Sequence, residues 1–265
     1  MLKKLLSLLL ALTLLTLSLT SCSGSVEKRM AKADEHFRSN SYTVNIGIDF
    51  VAPDEIAAIF DELKTSKTTA YFSGANFGST NELTIKEGEN VYTFTTMYTS
   101  VNGAVYKDVS YTENKLQRGY QRSWAQINSA QSQDLAGKVC LVGGVNAQEF
   151  TSVSESKVAK REMALTYTGA SDATKEALEG MIRSLFEGAL DGITAKDASL
   201  VVTLYKNCYK SAVVVCSYDI VLGGTSYEIE ATVRLDFTHS DDFEIYHPED
   251  ASSYEQEELD EILPA

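Results

Sequence analysis

The chain has little of what hydrolases, metalloenzymes and nucleotide-binding proteins use. Its three histidines are His36, His239 and His247. None stands at the i, i+4 or HExxH spacing that gathers a metal on one helix face. His239 with Asp241, Asp242 and His247 is the one grouping with ligand chemistry, and a solvated acidic loop explains it more simply. There is no Gly-x-Ser-x-Gly, no Ser-x-x-Lys with its supporting motifs, and no cysteine–histidine constellation of known spacing. No glycine-rich phosphate loop follows a strand. The pairs Asp54-Glu55 and Asp61-Glu62 read as the wet side of a short helix. Positive charge is scarce, with 23 Lys and Arg against 37 Asp and Glu and a formal net charge of −14. That balance disfavours nucleic acid and a direct electrostatic hold on anionic lipid headgroups. No second long hydrophobic segment follows the first, which argues against a multi-span protein. Nothing implies a cofactor or catalysis.

What is present begins at the amino end. Lys3 and Lys4 open a leader, an apolar run extends from Leu5 to Leu19, and Thr20 and Ser21 precede Cys22. The run is short for a bilayer-spanning helix and thin in the β-branched and aromatic residues of a packed core. Leu19-Thr20-Ser21-Cys22 resembles the lipobox of bacterial lipoproteins. The resemblance implies that Cys22 receives a diacylglyceryl group and becomes the first mature residue, with 1–21 removed. Two long acyl chains suffice for stable anchoring on the extracytoplasmic face of a cell membrane. The sequence therefore divides into a signal peptide at 1–21, a lipidated tether at 22–25, a domain at 26–248 and an acidic tail at 249–265.

Loss of Lys3 and Lys4 moves the net charge to −16, with 21 basic and 37 acidic side chains. About 240 residues remain, which suits one domain with a substantial core. Cys140, Cys208 and Cys216 are then an odd number at irregular spacing, not a disulfide framework. Cys208 and Cys216 stand too far apart along one hairpin to face each other, so all three read as small buried hydrophobes.

Hydrophobic periodicity organises the rest. Val26, Met30, Ala33 and Phe37 make one stripe of a helix over 26–39. Tyr42, Val44, Ile46, Ile48 and Phe50 alternate with polar residues as a strand with one dry face. Pro53 suits a helix start, with Ile56, Ile59, Phe60 and Leu63 as its apolar side. Strands follow at 68–74, 80–87, 90–100 and 104–113, with Asn102-Gly103 a strong hairpin signal. The stretch 114–148 is the least legible; it holds Trp124 and suggests a short helix near 124–134. Strands at 149–155 and 159–168 precede a helix capped by Ser171 or Asp172. Leu178, Met181, Ile182, Leu185, Phe186 and Ala189 recur along it at intervals of three and four. Three long strands close the domain: 198–207, then 212–222 after a turn at 208–211, then 226–238 after Gly223-Gly224. In the last, Tyr227, Ile229, Ala231, Val233, Leu235 and Phe237 share a face.

The sum is an α+β domain: a single, strongly curved antiparallel sheet of about nine or ten strands with helices over its concave face. With the lipobox, the helix before Tyr42-Thr43-Val44-Asn45-Ile46, the meander through 113, the helix at 172–188 and three closing strands, the chain resembles the half-barrel lipoproteins typified by LolA, LppX and LprG. The resemblance implies acyl chains held between sheet and helices. It departs from the LolA carrier in being lipidated, in the helix at 53–64 and in the acidic tail, which disfavours shuttling across a compartment.

On this reading the expected activity is non-catalytic binding of a lipid-like or other apolar ligand. Its lining candidates are Phe94, Tyr98, Leu185, Phe186, Val213, Val215, Ile229 and Val233, with Tyr92 beside them. The alternative is an envelope protein-interaction or scaffold module with a filled core. The same residues would then be ordinary core, since alternation alone does not distinguish the two. The tail, with Tyr254, Leu259, Ile262 and Leu263 as apolar members, is either a solvated extension or a short helix at 253–263 docked on the body or on a partner.

Overall fold

The computed structural model describes residues 26–37, 39–63, 67–73, 76–128, 150–185, 190–240 and 251–262, with 131, 245, 246 and 248 between them. Their strands are β1 (Ser41–Val51), β2 (Lys67–Ser73), β3 (Asn76–Glu87), β4 (Asn90–Val101), β5 (Ala104–Glu113), β6 (Leu116–Gln126), β7 (Phe150–Ala159), β8 (Glu162–Ala170), β9 (Gly192–Tyr205), β10 (Cys208–Leu222), β11 (Thr225–His239) and β12 (Glu255–Gln256). All twelve join one open sheet in the order β12-β6-β5-β4-β3-β2-β1-β11-β10-β9-β8-β7. Every pairing is antiparallel except β12 on β6. The first long strand thus lies beside the last long one, near the middle of the sheet.

Among the described residues, the helices α1 (26–37), α2 (Ala57–Leu63), α3 (Asp172–Leu185) and α4 (Leu259–Ile262) accompany it. Ser171 caps α3 by accepting the Thr174 amide at 3.2 Å, which satisfies one of the donors a helix start leaves open. Val26 and Ala33 from α1, Phe60 from α2, and Leu178 and Ile182 from α3 are buried in one cluster. They pack on the sheet face bearing Val44, Ile46, Val214, Tyr218, Ile229, Val233 and Leu235. Each such aliphatic side chain removed from water contributes about 1.5–3 kcal/mol. The β1–β11 register sets Val44 against Phe237, Ile46 against Leu235 and Ile48 against Val233. A slip of one residue would turn Glu230, Arg234 and Asp236 into this core.

Several boundaries differ from the sequence reading. Twelve strands replace the expected nine or ten; β6 and β12 are the additions. Trp124 sits in β6, not in a helix, because Leu116–Gln126 pairs along β5 from Glu113↔Leu116 to Ala104↔Gln126. The β9–β10 turn falls at Lys206 and Asn207, both at positive φ (52° and 64°), not at 208–211. Those two left-handed residues build the same tight turn that Asn102 and Gly103 build between β4 and β5. Cys208 therefore opens β10 half-exposed, whereas Cys216 is buried as expected; both are free thiols. Cys140 lies outside the described residues, as do the leader and Cys22.

The acidic segment is docked on the body rather than extended into solvent. After a 3₁₀ turn at Ala251–Ser253, Tyr254 is buried on the sheet face opposite the main core, with Val101, Ala104, Tyr106 and Trp124. β12 then hydrogen-bonds along β6, and the Glu257 amide donates to Trp124 O at 3.0 Å. Ile262 of α4 finally enters the main core. The segment thus passes round the edge of the sheet and grips both faces, while Glu255 and Glu258 stay in water.

Candidate functional site

The residues expected to line a ligand space do not converge on one. Ile229 and Val233 are each 2% exposed and belong to the main core. Val213 and Val215 are on the other face, because β10 pairs Val214 with Val233 and therefore Val213 with Arg234 and Val215 with Thr232. Phe94 is 41% exposed and stacks on Tyr111, rings 5.6 Å apart at 15°. Tyr98 packs against the main core, and the Lys107 ammonium stands 5.9 Å from its ring centre. Tyr92 pairs with Ile85 and Glu113. Leu185 ends α3, where its side chain lies outside the description, and Phe186 lies outside the described residues. Between sheet and helices, Val44, Ile46, Leu178, Ile182, Ile229, Val233 and Leu235 are buried in one cluster.

Open volume instead appears where α1 crosses the end of the sheet formed by the start of β1, the end of β11 and the β9–β10 turn. A cavity of about 600 Å³ there is walled by Tyr42, Tyr205, Tyr209 and Phe237, with His36, His239 and Cys208 among them and Glu162, Lys206 and Lys210 at its polar side. The local fold explains the gathering. Tyr42 and His239 are register partners on β1 and β11. α1 runs directly into β1, so His36 returns over Tyr42. His36 Nδ1 and the Tyr42 hydroxyl share a hydrogen bond of 2.7 Å. The two imidazoles lie 5.9 Å apart, centre to centre. Tyr209 stacks on Phe237 at 5.3 Å and 27°, and its hydroxyl donates to Asp34 of α1. Phe37 packs behind these rings, in contact with Tyr42, Phe72, Tyr209 and Phe237.

Charge gathers at the rim of this cavity, at Glu162, Lys206 and Lys210. Burial, reinforced by the neighbouring Cys208 thiol, pushes the Tyr42 hydroxyl up to about 12. It is therefore a neutral hydrogen-bonding group at any physiological pH. Lys210 is paired with Glu162. Pockets of some 300–1,000 Å³ with aromatic walls and a few polar groups are typical for small ligands. Among the described residues no group of three or more His, Cys, Asp or Glu side chains is placed to hold a metal ion. No described helix is long and apolar enough to cross a membrane.

Sequence reasoning missed this cavity because its members are dispersed over residues 36–239. The signal that would have found it was the pairing of the first and last alternating strands. Once Tyr42 is set opposite His239, His36 and Phe237 follow.

A second cavity, of about 250 Å³, adjoins the first through Glu162 and Lys206. Arg29, Lys157, Arg161 and Lys206 line it, with Ala159, Met163 and Leu204 as its apolar members.

No protein-family profile matches the chain, and no curated protein matches it. Among solved structures it is similar to the crystal structure of a beta-barrel-like protein of a domain of unknown function, DUF1849, from Brucella abortus. The two are 8% identical, with a TM-score of 0.29, over 75% of this chain and 98% of that one.

Proposed function

We propose that the protein is a membrane-anchored, extracytoplasmic lipoprotein of the half-barrel kind, held by a lipidated Cys22, that binds a lipid-like or other apolar ligand without catalysis. The observation that carries the binding role is the aromatic cavity between α1 and the β1–β11 seam. Tyr42, Tyr205, Tyr209 and Phe237 offer an apolar ligand broad ring surfaces. Lys206 and the His36–Tyr42 pair offer its polar end hydrogen bonds. On this reading the ligand sits in this cavity rather than in the sheet–helix space expected from sequence. The burial of Ile229 and Val233 in the main core favours a second reading, an envelope scaffold that works through its surface.

Mass spectrometry separates the two. A chain beginning at Ser23, purified without detergent, is weighed natively and again after organic extraction. Ligand carriage is expected to give a stoichiometric apolar species. That species, or an added fluorescent fatty acid, should slow alkylation of Cys208 in the cavity wall, and Phe237→Ala should weaken uptake about tenfold or more. An empty chain that also leaves Cys208 alkylation unchanged by fatty acid would establish the scaffold reading instead.

A further inference from the structure

The net charge of −14 hides a basic end. Arg29, Lys157, Arg161 and Lys206 share the smaller cavity. Lys160 is the chain neighbour of Arg161 in the β7–β8 turn, and Lys210 follows the β9–β10 turn. The two turns are tied by a hydrogen bond from the Lys206 amide to Arg161 O at 3.0 Å. Lys28 and Lys32 lie within one turn of Arg29 on α1. Eight of the chain's 23 cationic side chains therefore gather in one corner of the molecule.

The carboxylates among them are largely engaged. Glu155 faces Arg29, Glu162 holds Lys210, and Asp34 accepts from Tyr209, leaving Glu27 and Glu35 on the exposed side of α1. Arg29 Nε is buried without a hydrogen-bond partner, and its carboxylate neighbour is 3.8 Å away. It is the one cation of the corner whose buried donor is left open. The opposite end of the strands carries Asp54, Glu55, Glu89, Glu113 and Asp191 interspersed with Lys67, Lys86 and Lys115. The acidic Glu255, Glu257 and Glu258 sit by β6 at the far edge of the sheet, so the cationic cluster is local to this corner.

We infer that this corner is a docking face for an anionic membrane surface. Its position decides the partner. The described part of α1 starts at Val26, so Cys22 is four residue steps from the helix that carries Lys28, Arg29 and Lys32, a reach of at most ~14 Å. An acyl anchor at Cys22 brings these cations to the headgroup layer and turns the opposite end of the strands towards solvent. The orientation rests on the anchoring proposed above; the charge pattern does not. Each Lys or Arg within a Debye length of an anionic leaflet strengthens binding roughly fivefold.

The test uses an unacylated chain beginning at Ser23, which retains every described element, so that no lipid anchor contributes. It is sedimented with vesicles of phosphatidylcholine alone or of phosphatidylcholine and phosphatidylglycerol in equal parts, at low and high salt. Binding is expected only to the anionic vesicles and is expected to fall with salt. The variant Lys157→Glu/Lys160→Glu/Lys206→Glu should bind at least about tenfold more weakly. The equal reversal Lys67→Glu/Lys86→Glu/Lys115→Glu, at the far end of the sheet, should bind at least as well as this first variant and within a factor of about three of the parent. Circular dichroism verifies that both are folded. Equal binding to both vesicle types, or equal losses in the two variants, overturns the inference. So does competition by inorganic phosphate at low millimolar concentration, which would make the corner a small-anion site. Mass spectrometry of the natural full chain reports acylation at Cys22 separately, so a failure of anchoring and a failure of docking are told apart.

Discussion

Tyr254 is the residue through which the carboxy-terminal segment is attached to the outer sheet face, and its removal should be felt in two separable steps. The ring is 7% exposed and meets Tyr106 edge-on at 5.2 Å. Its hydroxyl donates to Asp108 Oδ2 at 2.8 Å. Asp108 is itself 8% exposed and also accepts from Tyr120 and, at 3.1 Å, from Arg122 Nε. Arg122 in turn donates to Ser253 at 3.0 Å. Tyr254→Phe keeps the ring but takes one donor from a buried carboxylate, a loss of about 1.5–3 kcal/mol. Tyr254→Ala also empties the ring's place, for a total of about 3–5 kcal/mol. For a domain of this size each kcal/mol moves the melting temperature by about 2–4 °C. Thermal unfolding should therefore fall by roughly 3–12 °C for the Phe variant and further, by roughly 6–20 °C, for the Ala variant. Hydrogen exchange supplies the local readout. The Glu257 amide, bonded to Trp124 O, should lose protection in Tyr254→Ala before the amides of β10 do. Unchanged melting in both variants, with Glu257 still protected, would refute the claim that this ring holds the segment.

Two further outcomes follow from buried groups and from one glycine. Burial raises the Tyr42 and Tyr167 hydroxyls from 10 to about 12 and the Cys216 thiol from 9 to about 11, and it raises Tyr218 and Tyr254 as well. Each holds its proton more tightly folded than unfolded, so its contribution is complete below about pH 9 and is lost as pH rises towards 12. An alkaline titration should show this subset's tyrosinate absorbance emerging together with unfolding; early, gradual ionisation with the fold intact would contradict it. Gly169 has φ +73°, and a Cβ there would lie 2.1 Å from Thr151 Oγ1. Gly169→Ala should cost about 1–2 kcal/mol, read as a lowered urea midpoint at constant m; an unchanged midpoint would show that Thr151 yields freely.

The parts of this fold that were legible are those where one face is dry and the other wet. β1, β10 and β11 alternate over ten or more residues, and the helix that became α3 carries its stripe at the right interval. Strand β6 was not legible because Gln117, Arg118, Gly119, Gln121 and Arg122 interrupt any apolar period near the sheet's end. What recovers it is pairing with β5, a non-local fact. The same applies to the candidate cavity, whose histidines seemed unrelated until β1 met β11. Val213 and Val215 were misassigned for a simpler reason: a valine-rich run, Val213-Val214-Val215, names no face, and only the register with Arg234 and Thr232 does.

The order of strands also has a consequence in time. Apart from β12, every neighbour in the sheet is also a neighbour along the chain except one pair, β1 with β11. Both flanking meanders can form from local hairpins, while this seam joins Val44 to Phe237 across most of the polypeptide. A chain made from its amino end presents one open flank of β1 from the moment that strand exists, and nothing native can cover it until residues 225–239 arrive. Synthesis that stalls before then leaves a partial sheet with a free hydrogen-bonding edge, the form most prone to pair with a stranger.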